Sequence, residues 1–231
     1  MYRFHGEIMQ AIILCGGLGE RLRPYTEKLP KVMLDFKGKP ILEHVVNHIK
    51  SCGIDDFILL CGYKNEEIKK YFGNGSKFGV KIIYSLEKGR LGTAGAVSNA
   101  KDLIKGDFLL VNGDVITNFP IGRLLAEFEK NHKPILSLVK PKNPFGVAEI
   151  ENAGTAIKIK SFIEKPMIKE WINAGYTVMP KILLKLFPKD GDVETDVYPK
   201  LSKAGELYAF LLDDKSEWKS IDTHKDLKEI I

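Results

Sequence analysis

Short apolar runs alternate with amphipathic stretches through the first half of the chain, and this alternation constrains the fold more than any other feature. The apolar runs are QAIILC (10–15), DFILLC (56–61), VKIIY (80–84) and GDFLLVN (106–112). Each is too short for a core helix and rich in Ile, Val, Leu or Phe, so each is predicted to be a strand. The intervening segments PILEHVVNHIKSCG and EEIKKYFG have helical periodicity and end at glycine. The pattern predicts an α/β fold with a Rossmann-like, doubly wound mixed sheet that is mostly parallel.

After Pro134 the pattern changes to closely spaced apolar runs. They are PILSLVK, FGVAEIE, AIKIKSFIE and NAGYTVM, and only short breaks separate them. We therefore expect the sheet to gain an antiparallel part, and the tail SIDTHKDLKEII to form a closing helix. Because no linker or repeat interrupts the chain, we predict a single domain over residues 9–231 that follows an N-terminal extension over 1–8.

The charge balance and the cysteines indicate the surroundings of the protein. Lys and Arg number 35 against 30 Asp and Glu, which leaves a net charge of +5. That excess is too small and dispersed to indicate nucleic acid, but it fits small anionic ligands such as phosphates. Cys15, Cys52 and Cys61 are odd in number and lack CxxC spacing, which favours free thiols in a reducing compartment. With neither a signal peptide nor an apolar run of about 20 residues, we expect a soluble cytoplasmic protein that does not bind membranes.

The segment CGGLGERLRPYTEKLPK (15–31) follows the first predicted strand and combines glycines with cations. Gly16, Gly17 and Gly19 allow close approach of a ligand, and their amides can point at phosphate oxygens. Leu22 stands where a dinucleotide fingerprint has its third glycine, and the GK[ST] of a P-loop is missing. An ordinary glycine turn with solvated charges is the alternative, but the strand context and the cations together favour a phosphate site.

Two further strand ends carry chemistry. In LLVNGDV (109–115), Asp114 follows a strand and is suited to hold Mg²⁺, although a turn aspartate explains it equally well. In FIEKP (162–166), Glu164 and Lys165 form either an exposed ion pair or a site for sugar hydroxyls and a phosphate. His44 and His48 lie one helical turn apart, and a plain helix face is the better interpretation than a metal site.

Taken in order, these segments resemble the sugar-1-phosphate nucleotidyltransferases, and mannose-1-phosphate guanylyltransferase-like members in particular. The matching pieces are LCGGLGERLRPYT, Pro30–Lys31, GKPILEH, SLEKGRLGTAGAV, VNGDV, FGVAEI, FIEKP and INAG. The resemblance implies that a sugar-1-phosphate oxygen attacks the α-phosphorus of a nucleoside triphosphate and pyrophosphate leaves. Since the attacking phosphate is already ionised, catalysis requires positioning and charge neutralisation but no general base.

The resemblance also implies roles for individual residues. Arg21, Lys31 and Asp114 match the catalytic residues, and Mg²⁺ is the implied cofactor. The matching nucleotide contacts are Leu14, Gly16, Gly17, Gly19, Arg21, Lys31, Glu87, Gly92 and Thr93. The matching sugar-phosphate contacts are Asn112, Gly146, Glu164, Lys165 and Asn173. The implied partners are a nucleoside triphosphate, a sugar-1-phosphate and, as an open possibility, further copies of the chain.

The chain departs from the family pattern at two places. Val32 stands where the family usually has proline after the loop lysine. The second metal ligand normally lies in W-x-D-I-G-T-P, whereas this chain has WKSIDTH (218–224) with Ser220 at the aspartate position. The cytidylyltransferase form W-x-x-M-D-T resembles this arrangement, and it implies that Asp222 is the second ligand.

The base and the sugar stay open. Glu87 matches the residue that faces the base, and an ionised carboxylate would accept from the two adjacent donors of guanine, which favours GTP. The resemblance to mannose-1-phosphate guanylyltransferases implies mannose-1-phosphate as the sugar. Glucose-1-phosphate thymidylyl-, uridylyl- or cytidylyltransferase activity is the alternative, and so is a heptose substrate. Two other classes are a non-catalytic regulatory subunit, which Arg21, Lys31 and Asp114 argue against, and a dehydrogenase, which the missing third glycine argues against.

Overall fold

The computed structural model describes residues 3–4 and 7–228 of the chain. The strands in chain order are β1 Arg3–Phe4, β2 Glu7–Ile8, β3 Gln10–Leu14, β4 Asp35–Phe36, β5 Lys39–Pro40, β6 Asp56–Cys61, β7 Lys81–Leu86, β8 Phe108–Asn112, β9 Val115–Thr117, β10 Ile135–Val139, β11 Val147–Ala153, β12 Ala156–Ile163, β13 Ile172–Met179, β14 Tyr208–Leu211 and β15 Trp218–Ser220. The helices are α1 Ile41–Lys50, α2 Asn65–Phe72, α3 Gly92–Asn99, α4 Ile121–Asn131, α5 Tyr198–Lys203 and α6 His224–Lys228. A π-helical turn, Val193–Val197, precedes α5.

Seven strands form the central sheet in the order β14-β10-β13-β8-β3-β6-β7. Neighbours pair in parallel except for β13, which runs antiparallel to both β10 and β8. From β3 the chain moves outward to β6 and β7, and it then returns to the other side of β3 as β8. The fold class predicted from the sequence, an α/β fold with a doubly wound and mostly parallel mixed sheet, is confirmed.

Alternate side chains of the central strands enter separate apolar cores on the two faces of the sheet. In β8, Leu109 and Val111 belong to the core formed with α1, α2 and α4, while Phe108 and Leu110 belong to the core formed with α3 and α5. Both sets are almost fully buried. Because a strand covered on both faces must be apolar at every position, these runs carry no polar alternation in the sequence.

The antiparallel part differs from the expectation. Among the described strands, β13 alone runs antiparallel to its neighbours in the central sheet, whereas β11 and β12 pair with each other as a separate two-stranded ribbon. The motif SLEKGRLGTAGAV is partly helical, since α3 begins at Gly92. Its small, mostly neutral side chains give almost no amphipathic pattern from which a helix could be predicted.

The two ends of the chain bear on the remaining expectations. Within the proposed extension over 1–8, Arg3–Phe4 pairs with Glu7–Ile8, and residues 1, 2, 5 and 6 lie outside the described part. The closing helix covers His224–Lys228, and residues 229–231 of that prediction also lie outside it. In the described part of the chain, no helix combines the length and apolarity needed to cross a membrane.

Candidate active site

A cavity of about 820 Å³ lies at the edge of the sheet where β3, β6, β7 and β8 end. Twelve residues predicted from the sequence line it: Leu14, Gly16, Gly17, Gly19, Arg21, Lys31, Glu87, Gly92, Thr93, Asn112, Asp114 and Asp222. The cavity lies beside the point where the strand order reverses between β3 and β8. Ligands of doubly wound sheets bind at such points.

Gly113 brings the loops after β3 and β8 into direct contact. Its N–H donates to the Leu14 carbonyl over 3.0 Å. A Cβ at this position would lie 2.6 Å from the same oxygen and 3.2 Å from Cγ1 of buried Val32. Only glycine fits this approach, and it sets the separation between the glycine-rich loop and the Asp114 loop.

The glycine-rich loop is held by a backbone turn and an apolar anchor. Gly19 has φ +61°, and the hydroxyl of buried Thr26 donates to its carbonyl over 2.9 Å. Leu22 is fully buried in a small cluster that also contains Ile221 from the far end of the chain. Since Arg21 and Asp222 are the neighbours of these two residues, the shared apolar cluster brings them together.

A short ladder brings Asp222 to Asp114, although 108 residues separate them in the sequence. Strand β15 pairs antiparallel with β9, so that Ser220 lies opposite Val115. The next link is the N–H of Ile221, which donates to the Asp114 carbonyl over 3.0 Å. The position predicted for the second carboxylate therefore lies beside the first.

Four charged side chains that line the cavity form one network. Lys31 Nζ lies 2.6 Å from Asp114 Oδ2 and 2.8 Å from Asp222 Oδ1. Arg21 contacts the same Asp222 oxygen over 2.7 Å, and Ser220 donates to the other oxygen over 2.6 Å. The two cations balance the two carboxylates, so the network is formally neutral.

The network shifts the pKa values of two of its partly buried members, Lys31 and Asp222. Burial alone would lower the pKa of Lys31, but the carboxylates of Asp114 and Asp222 outweigh it and raise that pKa above its usual value. Burial would raise the pKa of Asp222, but hydrogen bonds from Lys31 and Ser220 and the nearby cations lower it. Both groups are therefore held in their charged forms at neutral pH.

Glu87 and the start of α3 form the opposite wall. The Glu87 carboxylate lies over Gly16 and Gly62, where a Cβ would be 3.3 Å and 3.8 Å from its oxygens. Burial raises the pKa of Glu87, and a hydrogen bond from the Leu91 backbone partly offsets this. A Cβ at Gly16 would therefore press against the carboxylate, whereas one at Gly62 would only reach van der Waals contact with it.

Four predicted sugar-phosphate contacts lie outside the cavity lining. Gly146 and Glu164 are close, since a Cβ on Gly146 would be 2.8 Å from Glu164 Oε2. Lys165 follows β12 with φ +48°, so the chain bends there and does not continue the strand. Asn173 accepts a hydrogen bond from the Gly175 N–H, and Gly175 lies against Asn112. Only Asn112 of the predicted sugar set lines the cavity itself.

The cavity includes groups that the sequence did not single out. Asp192 accepts from the Thr93 N–H over 2.9 Å at the start of α3. Arg90 lies 3.5 Å from Glu20, which links the two loops at the exposed rim. Arg90 lies within the motif SLEKGRLGTAGAV, whereas no sequence motif near Asp192 indicates its position.

The donor set is suited to a divalent cation only in part. Asp114 and Asp222 already hold a cationic nitrogen between their oxygens, and carboxylate oxygens are the ligands that Mg²⁺ prefers. Among the described residues, no group of three or more His, Cys, Asp or Glu side chains could hold a metal. A Mg²⁺ ion here would need phosphate oxygens or water as further ligands. His44 and His48 do not share a site, since His44 contacts the Phe36 carbonyl and His48 packs against Phe119 and Tyr176.

Comparison with known proteins gives one family. The family model described as "Nucleotidyl transferase" matches residues 10–231. The bifunctional protein GlmU of Methanococcus maripaludis is 40% identical over 225 residues, which are 92% of this chain and 51% of that protein. The probable mannose-1-phosphate guanylyltransferase 2 of Arabidopsis thaliana is 35% identical and is matched over 88% of this chain and 59% of its own length. The chain thus spans only about half to three fifths of these relatives.

Solved structures agree in fold. A putative glucose-1-phosphate thymidylyltransferase from Bacillus anthracis, in complex with a sucrose, superposes with a TM-score of 0.77 at 26% identity. That match covers 95% of this chain and 92% of the other. HddC from Yersinia pseudotuberculosis, complexed with GMP-PN, gives a TM-score of 0.74 at 25% identity and covers 95% and 96%.

Proposed function

The chain belongs to the nucleotidyl transferase family, and from this membership we propose that it joins a nucleoside triphosphate to a sugar-1-phosphate. The observation that carries the proposal is the network of Arg21, Lys31, Asp114 and Asp222 beside a glycine-rich loop at the carboxyl edge of the sheet. A cavity of about 820 Å³ is large enough for a nucleotide, since ligand pockets range from roughly 300 to 1,000 Å³.

The reaction forms one bond and breaks another at the same phosphorus. An oxygen of the sugar-1-phosphate attacks the α-phosphorus, the bond from that phosphorus to the bridging oxygen of the β-phosphate breaks, and pyrophosphate leaves with the electron pair. The products are a nucleoside diphosphate sugar and pyrophosphate, and no proton needs to move. Arg21 and the loop amides would bind the triphosphate, and Lys31 would neutralise charge as it builds on the transferring phosphoryl group.

We propose Asp114 and Asp222 as the ligands of Mg²⁺. Because the network is formally neutral, it cannot by itself compensate the charge of a triphosphate, and a divalent cation would supply the missing positive charge. Ser220 would orient Asp222 through its hydrogen bond. This gives the residue at the family's usual aspartate position a supporting role.

For the substrates we propose GTP and mannose-1-phosphate. Glu87 is acceptor-only when ionised, and it retains acceptor capacity beyond the Leu91 N–H for the N1–H and 2-amino group of guanine. The Arabidopsis relative named for mannose-1-phosphate and the HddC structure with GMP-PN support a guanine nucleotide. The Bacillus structure, named for glucose-1-phosphate and thymidylyl transfer, supports the alternative pair. Transfer to a heptose-1-phosphate, and uridylyl or cytidylyl transfer, are further alternatives that the experiment below includes.

The sugar would bind outside the described cavity, beside Asn112. Gly146, Glu164, Lys165 and Asn173 are proposed to contact it, since the start of β13 and the segment after β10 both lie at the edge that carries Asn112. We further propose a cytoplasmic location, because nucleoside triphosphates are intracellular and the three cysteines are free.

A pyrophosphate-release panel tests the proposal. Five nucleoside triphosphates are each combined with glucose-, mannose-, galactose- and heptose-1-phosphate in the presence of Mg²⁺. We expect release only when both substrates are present, and the fastest release with GTP and mannose-1-phosphate. Nucleotide binding without release in any combination would contradict the proposal and indicate a regulatory subunit.

A further inference from the structure

The ribbon formed by β11 and β12 is the least buried part of the described chain. Every residue of β12 is exposed, and so is every residue of β11 except Ala153. Its strands are rich in isoleucine, a residue that proteins usually bury. A surface of this kind indicates a partner.

The strand register divides the ribbon into two faces. Ile150 lies opposite Ile159, Asn152 opposite Ile157, and Ala148 opposite Phe162, so these side chains share one face. We call Ile150, Ile157, Ile159 and Phe162 the apolar stripe; they are 62%, 68%, 66% and 62% exposed.

The other face is charged along its outer half. Glu151 pairs across the ribbon with Lys158, and Lys160 lies 2.9 Å from Glu149 at the bulge. Two acidic residues on β11 thus balance two basic residues on β12. A ribbon with no net charge gives no reason for a strongly charged partner such as nucleic acid or an anionic membrane.

The size of the stripe fits a modest protein interface. Four large side chains that are about two thirds exposed present on the order of 500 Å² of apolar surface. Two stripes in contact would bury about 1,000 Å², and the flanking Ala148, Asn152 and backbone would bring the total near the lower end of standard interfaces, about 1,200 Å². A second copy of this chain supplies a stripe of matching length and character.

The charges restrict how two ribbons can associate. Pairing β11 with its counterpart edge to edge would place Glu149 and Glu151 beside the same residues of the partner, and pairing β12 with its counterpart would do the same with Lys158 and Lys160. If β11 of each copy paired with β12 of the next copy, the contact would be head-to-tail and would not close into a dimer. Stacking of the apolar faces leaves the four charged residues within the two strands, Glu149, Glu151, Lys158 and Lys160, on an outer surface.

We propose that two copies of this chain form a two-fold symmetric dimer in which the apolar stripe of one ribbon packs against that of the other. Gly146 contacts Phe162 of the apolar stripe. Gly146 and Glu164 lie on the same face of the ribbon as the stripe, at its end nearer the sheet. The partner ribbon would therefore border the segment proposed to hold the sugar. The dimer itself does not depend on that role.

Sedimentation velocity across about a hundredfold range of protein concentration tests the dimer. The variant Ile159→Glu adds a charge to the stripe. Ala156→Glu adds the same charge to the same strand on the opposite face, since Ala156 alternates with Ile157 and pairs with Ala153. Both positions are exposed, so both variants should fold, which circular dichroism and thermal melting verify.

We expect the wild-type mass to rise from one chain to two with concentration, and Ala156→Glu to follow it. Ile159→Glu should remain at one chain at concentrations where at least nine tenths of the wild type is dimeric, which corresponds to a dissociation constant raised roughly a hundredfold or more. A wild type that stays at one chain throughout, a mass that grows past two chains without a plateau, or equal dissociation of both variants would overturn the proposal. Because mass is independent of turnover, failure here leaves the pyrophosphate-release result unaffected.

Discussion

At the scale of single residues, the site depends on charges that compensate one another at short range. The Lys31 side chain is 12% exposed and has two carboxylate partners. Removing its ammonium group would leave the carboxylates of Asp114 and Asp222 facing each other. Removing either carboxylate would leave a cation with one partner fewer. The tests use variants of similar size and shape, so that the lost charge is the main difference from the wild type.

Lys31→Met should lower kcat by roughly a hundredfold or more and change KM for the sugar phosphate much less. The ammonium is expected to matter most as negative charge builds in the transition state, and one such donor is worth about that factor. Steady-state kinetics with GTP and mannose-1-phosphate check the split, and a thermal melt controls for folding. A change confined to KM would show that Lys31 binds the ground state and the transition state equally and does not contribute to the chemical step.

Asp114→Asn should remove most Mg²⁺-dependent turnover, by at least about a hundredfold, because one ligand of the charge-neutralising cation is lost. The amide keeps the shape of the carboxylate and an oxygen near Lys31. The measurement is pyrophosphate release as a function of Mg²⁺ concentration. Near-normal kcat at saturating Mg²⁺ would be inconsistent with a metal-binding role.

Glu87→Gln should shift base preference from GTP toward dTTP or UTP. The amide oxygen can still accept from Leu91, so the loop should keep its conformation, but one charge-assisted bond to guanine is lost. The ratio of kcat/KM for GTP over dTTP with one sugar phosphate should fall about tenfold or more, since about 1.4 kcal/mol is a factor of ten. An unchanged ratio would show that Glu87 does not contact the base.

At the scale of elements, the loops after β3 and β8 were predictable and the ribbon was not. Their apolar runs end at Gly16 and at Gly113–Asp114, and the carboxyl ends of parallel strands share one edge of a sheet. Glu149 and Glu151 alternate with apolar residues in the sequence. This alternation fits an edge strand of a sheet as well as a separate ribbon. Local pattern cannot separate these, because the choice depends on which partner covers the apolar face.

Gly113→Ala tests the contact between those two loops. A Cβ would lie 2.6 Å from the Leu14 carbonyl, so the loops must move apart, and we expect a loss of about 1–3 kcal/mol in the free energy of unfolding together with reduced turnover. Gly122→Ala is the matched control: no atom lies within 4 Å of its Cβ position in α4, and alanine should leave stability unchanged or raise it by up to about 1 kcal/mol. Equal stability of the two variants would contradict the close-approach argument.

At the scale of the whole molecule, the two apolar cores hold a few polar groups that link stability to pH. His48 lies against Phe119 and Tyr176, and its buried Nε2 has no hydrogen-bond partner, nor does the buried Tyr176 hydroxyl. Burial lowers the pKa of His48, partly offset by a hydrogen bond to the Phe119 backbone. The unfolded chain therefore binds a proton near pH 6.5 that the folded protein does not accept.

Stability should accordingly be complete above about pH 6.5 and fall as the pH drops toward the folded pKa of His48, by at most about 1.4 kcal/mol per pH unit. Urea unfolding at a series of pH values between about 5 and 8 measures this slope. His48→Leu should flatten it across the upper part of that range. An equally steep loss in the variant would assign the effect to other groups.

The overall architecture was foreseeable because it follows from strand composition, whereas the complete site was not. Asp222 was expected only through a resemblance in the tail, and its position depends on a three-residue ladder and on Ile221 packing with Leu22. Such long-range pairings leave no periodic signal in the chain. Asp192 meets Thr93 across 99 residues for the same reason.

The ladder between β9 and β15 also has a consequence for biosynthesis. A nascent chain emerging from the ribosome would already contain the strands β3, β6, β7 and β8, the glycine-rich loop and Asp114 before Asp222 was translated. It could fold the strands and the glycine-rich loop proposed to bind the nucleotide, but it would lack the second carboxylate. Lys31 would then have one counter-ion, whereas the finished protein has two. Turnover of the proposed reaction would thus begin only after residues 218–222 had docked, so an incomplete chain could bind a nucleotide without cleaving it.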